Sequence, residues 1–228
     1  MKNIGAEELL AVWERGVSFA PHERALTMLA VATSLPAQEA ALLPVSERDA
    51  RLLRFREQTF GRAIEGLVEC PSCEETCELT FRTSDLLPVS AAPDELTMQF
   101  GGRAIRFRLP NSADIAAALR DDDARLSLLQ RCLLDEVEIS DALLDALDEE
   151  MERADPSVTR IDVTCPFCSH RWLSTLDAGA FLWSEIETWG RRTLTDVHTL
   201  ASAYGWRESD ILSMSVWRRR RYLELLGA

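Results

Sequence analysis

Cys70-Pro71-Ser72-Cys73 and Cys165-Pro166-Phe167-Cys168 are two copies of one short pattern in a chain of 228 residues. A spacer of two residues lets both sulfurs of one turn reach the same point. Two such turns supply four thiolates, the tetrahedral shell that Zn2+ takes in structural sites. The proline after each leading cysteine fixes φ and shapes the turn. Short strand-like runs flank both pairs: Val68 and Glu78-Leu79-Thr80-Phe81 around the first, Arg160 to Val163 and Arg171 to Ser174 around the second. That context predicts a zinc-ribbon-like centre with Cys70, Cys73, Cys165 and Cys168 as metal ligands. Four thiolates close the shell and leave no position for a reacting water, so the predicted role is structural.

Rival chemistry for the same cysteines has less support. A dithiol redox motif places a single pair at a helix start, whereas here both pairs lie on strands. Disulfides need an oxidising compartment, for which the sequence carries no signal. Cys77 and Cys132 read as small buried residues. His170, two positions after Cys168, could replace one thiolate but reads better as a solvent-facing residue.

The pairs are far apart. The 91 residues from Glu74 to Thr164 exceed the roughly 15–20 of an ordinary ribbon. Loop-closure entropy grows only logarithmically with length, so a large insertion is tolerable. Within it, Leu96–Phe100 and Ala104–Leu109 alternate apolar and polar residues around Gly101-Gly102, a hairpin signature. Three helices follow, capped by Asn111 or Ser112, then carrying Leu126, Leu129 and Leu133, then starting from Ser140.

Outside the cysteine region the chain reads as helix. Leu9, Val12 and Trp13 mark one stripe, Ala25, Leu26 and Leu29 a second behind Pro21 at a helix start. Ser46 is expected to cap a third helix that Gly61 stops. A long helix over 178–203 carries Leu182, Ile186, Trp189, Val197 and Tyr204, with Asp177 as its cap, and two short helices close the chain. The fold class is therefore α+β and mainly α-helical, with a hairpin-plus-helices insertion on the zinc-ribbon-like centre and flanking N- and C-terminal helices. The expected organisation is 1–66 helical, 67–82 first knuckle, 83–158 insertion, 159–176 second knuckle and 177–228 helical.

A net charge of −13 disfavours a phosphate-backbone binder. The charge is uneven: Asn111 to Asp155 holds 14 acidic and four basic residues, while Arg218-Arg219-Arg220-Arg221 stands near the C-terminus. This asymmetry suits assembly with other proteins. Trp217 beside the arginines is the candidate partner-binding residue, because aromatics and arginine are favoured at interface hot spots. No apolar run reaches the roughly 18 residues of a membrane span, and the Met1-Lys2-Asn3 start lacks a signal peptide's apolar core, so cytoplasmic residence is expected. His22, His170 and His198 neighbour no nucleophile motif, and the usual nucleotide, hydrolase and metalloprotease motifs do not occur. No enzymatic activity and no small-molecule substrate are expected.

Several segments resemble a known family. They are Leu10-Ala11-Val12-Trp13-Glu14-Arg15-Gly16, Glu47-Arg48-Asp49-Ala50-Arg51-Leu52-Leu53, Phe181-Leu182-Trp183-Ser184-Glu185-Ile186 and Tyr204-Gly205-Trp206-Arg207-Glu208-Ser209-Asp210-Ile211-Leu212. Together they resemble small baseplate proteins of contractile phage tails and phage-tail-like contractile injection systems, and are similar to T-even-type baseplate hub assembly proteins. The resemblance implies a non-enzymatic role in building the baseplate, with other baseplate or tail proteins as partners, either within the finished particle or as an assembly chaperone absent from it. The rival class is a zinc-ribbon nucleic-acid-binding or transcription accessory protein resting on Arg218 to Arg221.

Overall fold

In the computed structural model, residues 4–88, 90–157 and 160–227 are described. The fold is α+β and mainly helical, with three two-stranded antiparallel hairpins as its only sheets among those residues. The expected boundary between 158 and 159 and the Met1-Lys2-Asn3 start lie outside them. The described residues of Met1–Ser34 and Gly179–Ala228 form one compact unit, and those of Leu35–Ala178 form another.

The first unit is built from α1 (Ala6–Gly16), α2 (Pro21–Thr33) and three helices from the end of the chain. Pro21 opens α2, whose Ala20 N–H donates to the Glu23 carboxylate at 2.9 Å. Two indoles lock α1 to the long C-terminal helix. A Cβ added to Gly16 would meet the Trp183 ring at 2.5 Å, and one added to Gly190 would meet the Trp13 ring at 2.7 Å. Each glycine thus makes room for a tryptophan of the opposite helix, at the cost of its poor helix propensity. Arg24 completes the arrangement: it lies 4.7 Å over the Trp183 ring and donates to the carbonyls of Gly16 and Val17 that end α1. Leu10, Val197, Leu200, Ile211 and Leu212 make an apolar cluster of the same unit.

The second unit starts with a short α3 (Ala37–Ala41) and α4 (Val45–Phe60). The expected cap at Ser46 does not form: Ser46 lies one residue inside α4 and its buried hydroxyl has no partner. Instead Pro44 precedes the helix, and the Val45 N–H donates to the Pro110 carbonyl at 3.0 Å. A tertiary contact thus replaces the local cap, which no reading of neighbouring residues reveals. Gly61, at φ +95, ends α4 as expected. Two strands follow, β1 (Ala63–Glu69) and β2 (Thr76–Arg82), longer than expected; the inward positions of β1 are Ile64, Gly66 and Val68, and exposed Leu67 hides that alternation in the sequence. A short α5 (Thr83–Leu86) comes next.

The inserted hairpin pairs β3 (Leu96–Phe100) with β4 (Arg103–Phe107) around Gly101 and Gly102. Both glycines have positive φ, +58 and +78, as a two-residue turn with matching twist requires. The helices α6 (Ser112–Ala118), α7 (Ala124–Cys132) and α8 (Asp141–Ala154) follow. Asn111 caps α6, accepting from the Asp114 N–H at 2.9 Å while Asp114 accepts from the Asn111 N–H at 3.0 Å. Ser140 caps α8. Met98, Ile105, Phe107, Leu129, Leu143 and Leu147 fill the core of the insertion. Cys132 lies in that core, where burial pushes its thiol up to about 12 and leaves it inert.

The chain then makes β5 (Arg160–Thr164) and β6 (Arg171–Thr175) and enters α9 (Ala178–Tyr204). Gly205, at φ +68, stops α9, and α10 (Glu208–Leu212) and α11 (Val216–Leu225) complete the first unit. Tyr204, expected on the buried stripe, is instead 37% exposed and stacks on Trp206 at 4.4 Å between ring centroids.

Candidate metal centre

The two cysteine turns are built alike. In the first, the Cys70 N–H donates to the Glu75 carbonyl at 3.0 Å, and the Glu74 N–H donates back to the Cys70 carbonyl at 2.9 Å. In the second, Cys165 and His170 make the first of these bonds at 2.9 Å and Ser169 and Cys165 the second at 3.0 Å. Glu74 and Ser169 each sit at φ +61, a left-handed turn immediately after the second cysteine. Strand register continues the correspondence: Val68 pairs with Cys77 across β1 and β2, and Val163 pairs with Trp172 across β5 and β6. Each hairpin closes its turn so that both sulfurs point the same way.

The hairpins bring the four sulfurs together. The Sγ atoms of Cys70, Cys73, Cys165 and Cys168 all lie within 4.8 Å of one another. The two close contacts cross between the turns, Cys70 to Cys168 and Cys73 to Cys165, each at 3.6 Å. A disulfide would need about 2.05 Å, and all of these cysteines are free thiols. A tetrahedron with metal–sulfur bonds of about 2.3 Å has edges of about 3.8 Å, so the spacing suits a metal bound by four thiolates. Cys70 and Cys165 are buried, Cys73 is half-buried and Cys168 is exposed.

Electrostatics support a cation at this point. Burial pushes the Cys165 thiol up, but N–H groups of Cys168 and Phe167 and the thiols of Cys168 and Cys73 outweigh it and bring the group down to about 6. Cys73 goes the other way. The backbone at Glu75 lowers it, yet burial and the neighbouring thiols of Cys168, Cys165 and Cys70 carry it up to about 12. Without a cation, ionising one sulfur suppresses the next. A dication removes that penalty and lets all four ionise. The site is able to hold a metal ion.

The other expected residues fall differently. His170 is exposed and is not among the clustered ligands. Cys77 is buried, with its Sγ 3.8 Å from that of Cys165. That closeness escaped the sequence reading, although a cysteine four residues after Cys73 on a strand edge was its visible trace. Near the C-terminus, Trp217 is 73% exposed and Arg218, Arg220 and Arg221 are exposed. Arg219 departs from this group: it is 4% exposed and pairs inward with Asp196 at 3.4 Å. Helical spacing turns every third or fourth residue to the core, so a run of four arginines cannot all face outward. Among the described residues no helix is long and apolar enough to cross a membrane.

Comparison with known proteins bears on the role of this scaffold. Residues 8–150 match the family model described as T4 bacteriophage base plate protein. That span includes Cys70 and Cys73 and ends before Cys165, and the Tyr204-Gly205-Trp206 stretch also lies beyond it. No curated protein and no solved structure matches the chain. With well over half its length matched, the chain belongs to the T4 bacteriophage base plate protein family.

Proposed function

We propose that this protein is a non-enzymatic structural or assembly component of a contractile, phage-tail-like baseplate, with one structural Zn2+ held by Cys70, Cys73, Cys165 and Cys168. The family match over residues 8–150 carries the baseplate role. The spacing of the four sulfurs supports the metal, and four thiolates support zinc over harder cations. A closed shell gives the ion a folding role: it ties residues 67–82 to residues 159–176 and makes the stretch 83–158 an insertion on one clasp.

Docking on neighbouring baseplate or tail proteins falls to two regions of opposite charge. Trp217, Arg218, Arg220 and Arg221 form the basic, aromatic one. The acidic insertion forms the other, although Arg125 already bridges Asp145 and Asp148 and Arg106 holds Asp135 within it. Nucleic acid is the poorer partner, given the −13 charge and the inward turn of Arg219.

A chaperone of baseplate hub assembly, absent from the finished particle, shares the family and the surface. Mass spectrometry of purified sheathed particles separates the two. A component appears in fixed ratio to other baseplate proteins, whereas a chaperone is required for assembly yet missing from the particle. A chain that stays monomeric with every tail protein and is dispensable for assembly contradicts both.

A further inference from the structure

Four sulfurs form the centre, and a fifth, that of Cys77, stands beside it. Cys77 Sγ lies 3.8 Å from Cys165 Sγ, against 3.6 Å for the Cys70–Cys168 and Cys73–Cys165 contacts. That is the distance two ligands of one tetrahedral ion keep from each other. Cys77 is 2% exposed and belongs to the same buried cluster as Cys70 and Cys165. Its counterpart in the second hairpin is Trp172, which packs against that cluster from the equivalent strand position. An apolar side chain therefore suffices to close the site there, and packing alone does not call for a sulfur.

The four ligands differ in access. Cys70 and Cys165 are buried, Cys73 is half-buried, and Cys168 stands exposed beside exposed Phe167. Solvent, oxidants and competing chelators reach Cys168 first. We propose that Cys77 is a reserve ligand: it stands outside the shell while Cys168 is bound and completes a four-thiolate shell with Cys70, Cys73 and Cys165 when Cys168 is lost. Cys77 stands outside the four sulfurs that lie within 4.8 Å of one another and contacts Cys165 Sγ and the Glu75 carbonyl, so joining an ion with Cys165 requires its side chain to turn toward Cys70 and Cys73. Cys77 binds as a thiolate and releases its thiol proton to solvent as it takes the place of the Cys168 thiolate, and neither the ion nor Cys77 changes oxidation state. This exchange rests on the metal reading above and would keep the clasp shut after damage to its exposed corner.

The full-length protein loaded with Co2+ in thiol-free buffer tests this, since thiolate-to-cobalt charge-transfer absorption reports how many sulfurs bind. Wild type should give the four-thiolate spectrum with one metal per chain. Cys168→Ala should keep both, and so should Cys77→Val. The double variant Cys77→Val/Cys168→Ala should fall to a three-thiolate spectrum or lose the metal. A wild type without the four-thiolate spectrum overturns the metal reading and the reserve with it. A wild type that has the spectrum, with Cys168→Ala unfolded, metal-free or three-thiolate, overturns the reserve role alone.

Discussion

At the scale of single residues, two glycines and one tryptophan separate packing from binding. Gly190 lies in the interior of α9, where alanine would ordinarily stabilise a helix by up to about 1 kcal/mol. Here the added methyl would stand 2.7 Å from the Trp13 ring, so the sign reverses. Gly190→Ala should cost about 1–3 kcal/mol in chemical denaturation, the usual penalty of overpacking. Trp217 is the opposite case. It is mostly exposed, so Trp217→Ala should move folding stability by no more than about 0.5 kcal/mol. The same change should weaken capture of the docking partner by about 2 kcal/mol, read as a Kd shift. A stability loss equal to the binding loss would move Trp217 from surface to scaffold. Trp13 was legible as a helix-stripe residue, but Trp183 and the glycines that receive the two indoles were not. Gly16 meets Trp183 and Gly190 meets Trp13 only because two helices distant in sequence pack against each other.

At the scale of elements, the sequence was read well wherever a local rule decides the outcome. Gly101-Gly102 dictated the hairpin, Pro21 and Ser140 the helix starts, and Gly61 a stop. It was read poorly where a distant group substitutes for a local one, as when Pro110 supplies the bond that Ser46 was expected to make for α4. The start of α6 combines both kinds of support. Asp114 closes the box with Asn111, and its carboxylate receives Arg108 across two bonds of 2.6 and 3.0 Å. Burial raises the Asp114 carboxyl, but Arg108 and the Asn111 N–H outweigh it and hold the group below the usual carboxylate range. A carboxyl with a depressed folded value stabilises fully above its unfolded value, near pH 4, and loses that stabilisation as pH falls through the folded value. Asp114→Asn should therefore cost about 1–3 kcal/mol at neutral pH and flatten the acid limb of the stability profile below about pH 4. An unchanged acid limb in urea titrations at stepped pH would remove Asp114 from this role.

At the scale of the whole molecule, the legible and the illegible meet at the four sulfurs. The repeated Cys-Pro-x-Cys pattern announced the cluster of four sulfurs across 91 intervening residues, because two like turns can meet whatever the length of chain between them. The division of labour around it was harder to read. Arg219 counted as surface in a run of four arginines, and only the pairing with Asp196 shows which of the four is structural. If the ion is the clasp that joins the two hairpins, metal-binding energy is folding energy. Chelation should then lower Tm and make the hairpin amides exchange rapidly, and the double variant Cys70→Ser/Cys165→Ser should reproduce the chelated state without a chelator. X-ray absorption at the zinc edge, on protein purified without chelator, examines the clasp itself: the account predicts one zinc per chain with four sulfur neighbours at about 2.3 Å, and a folded protein without zinc, or with nitrogen or oxygen in the shell, would contradict it.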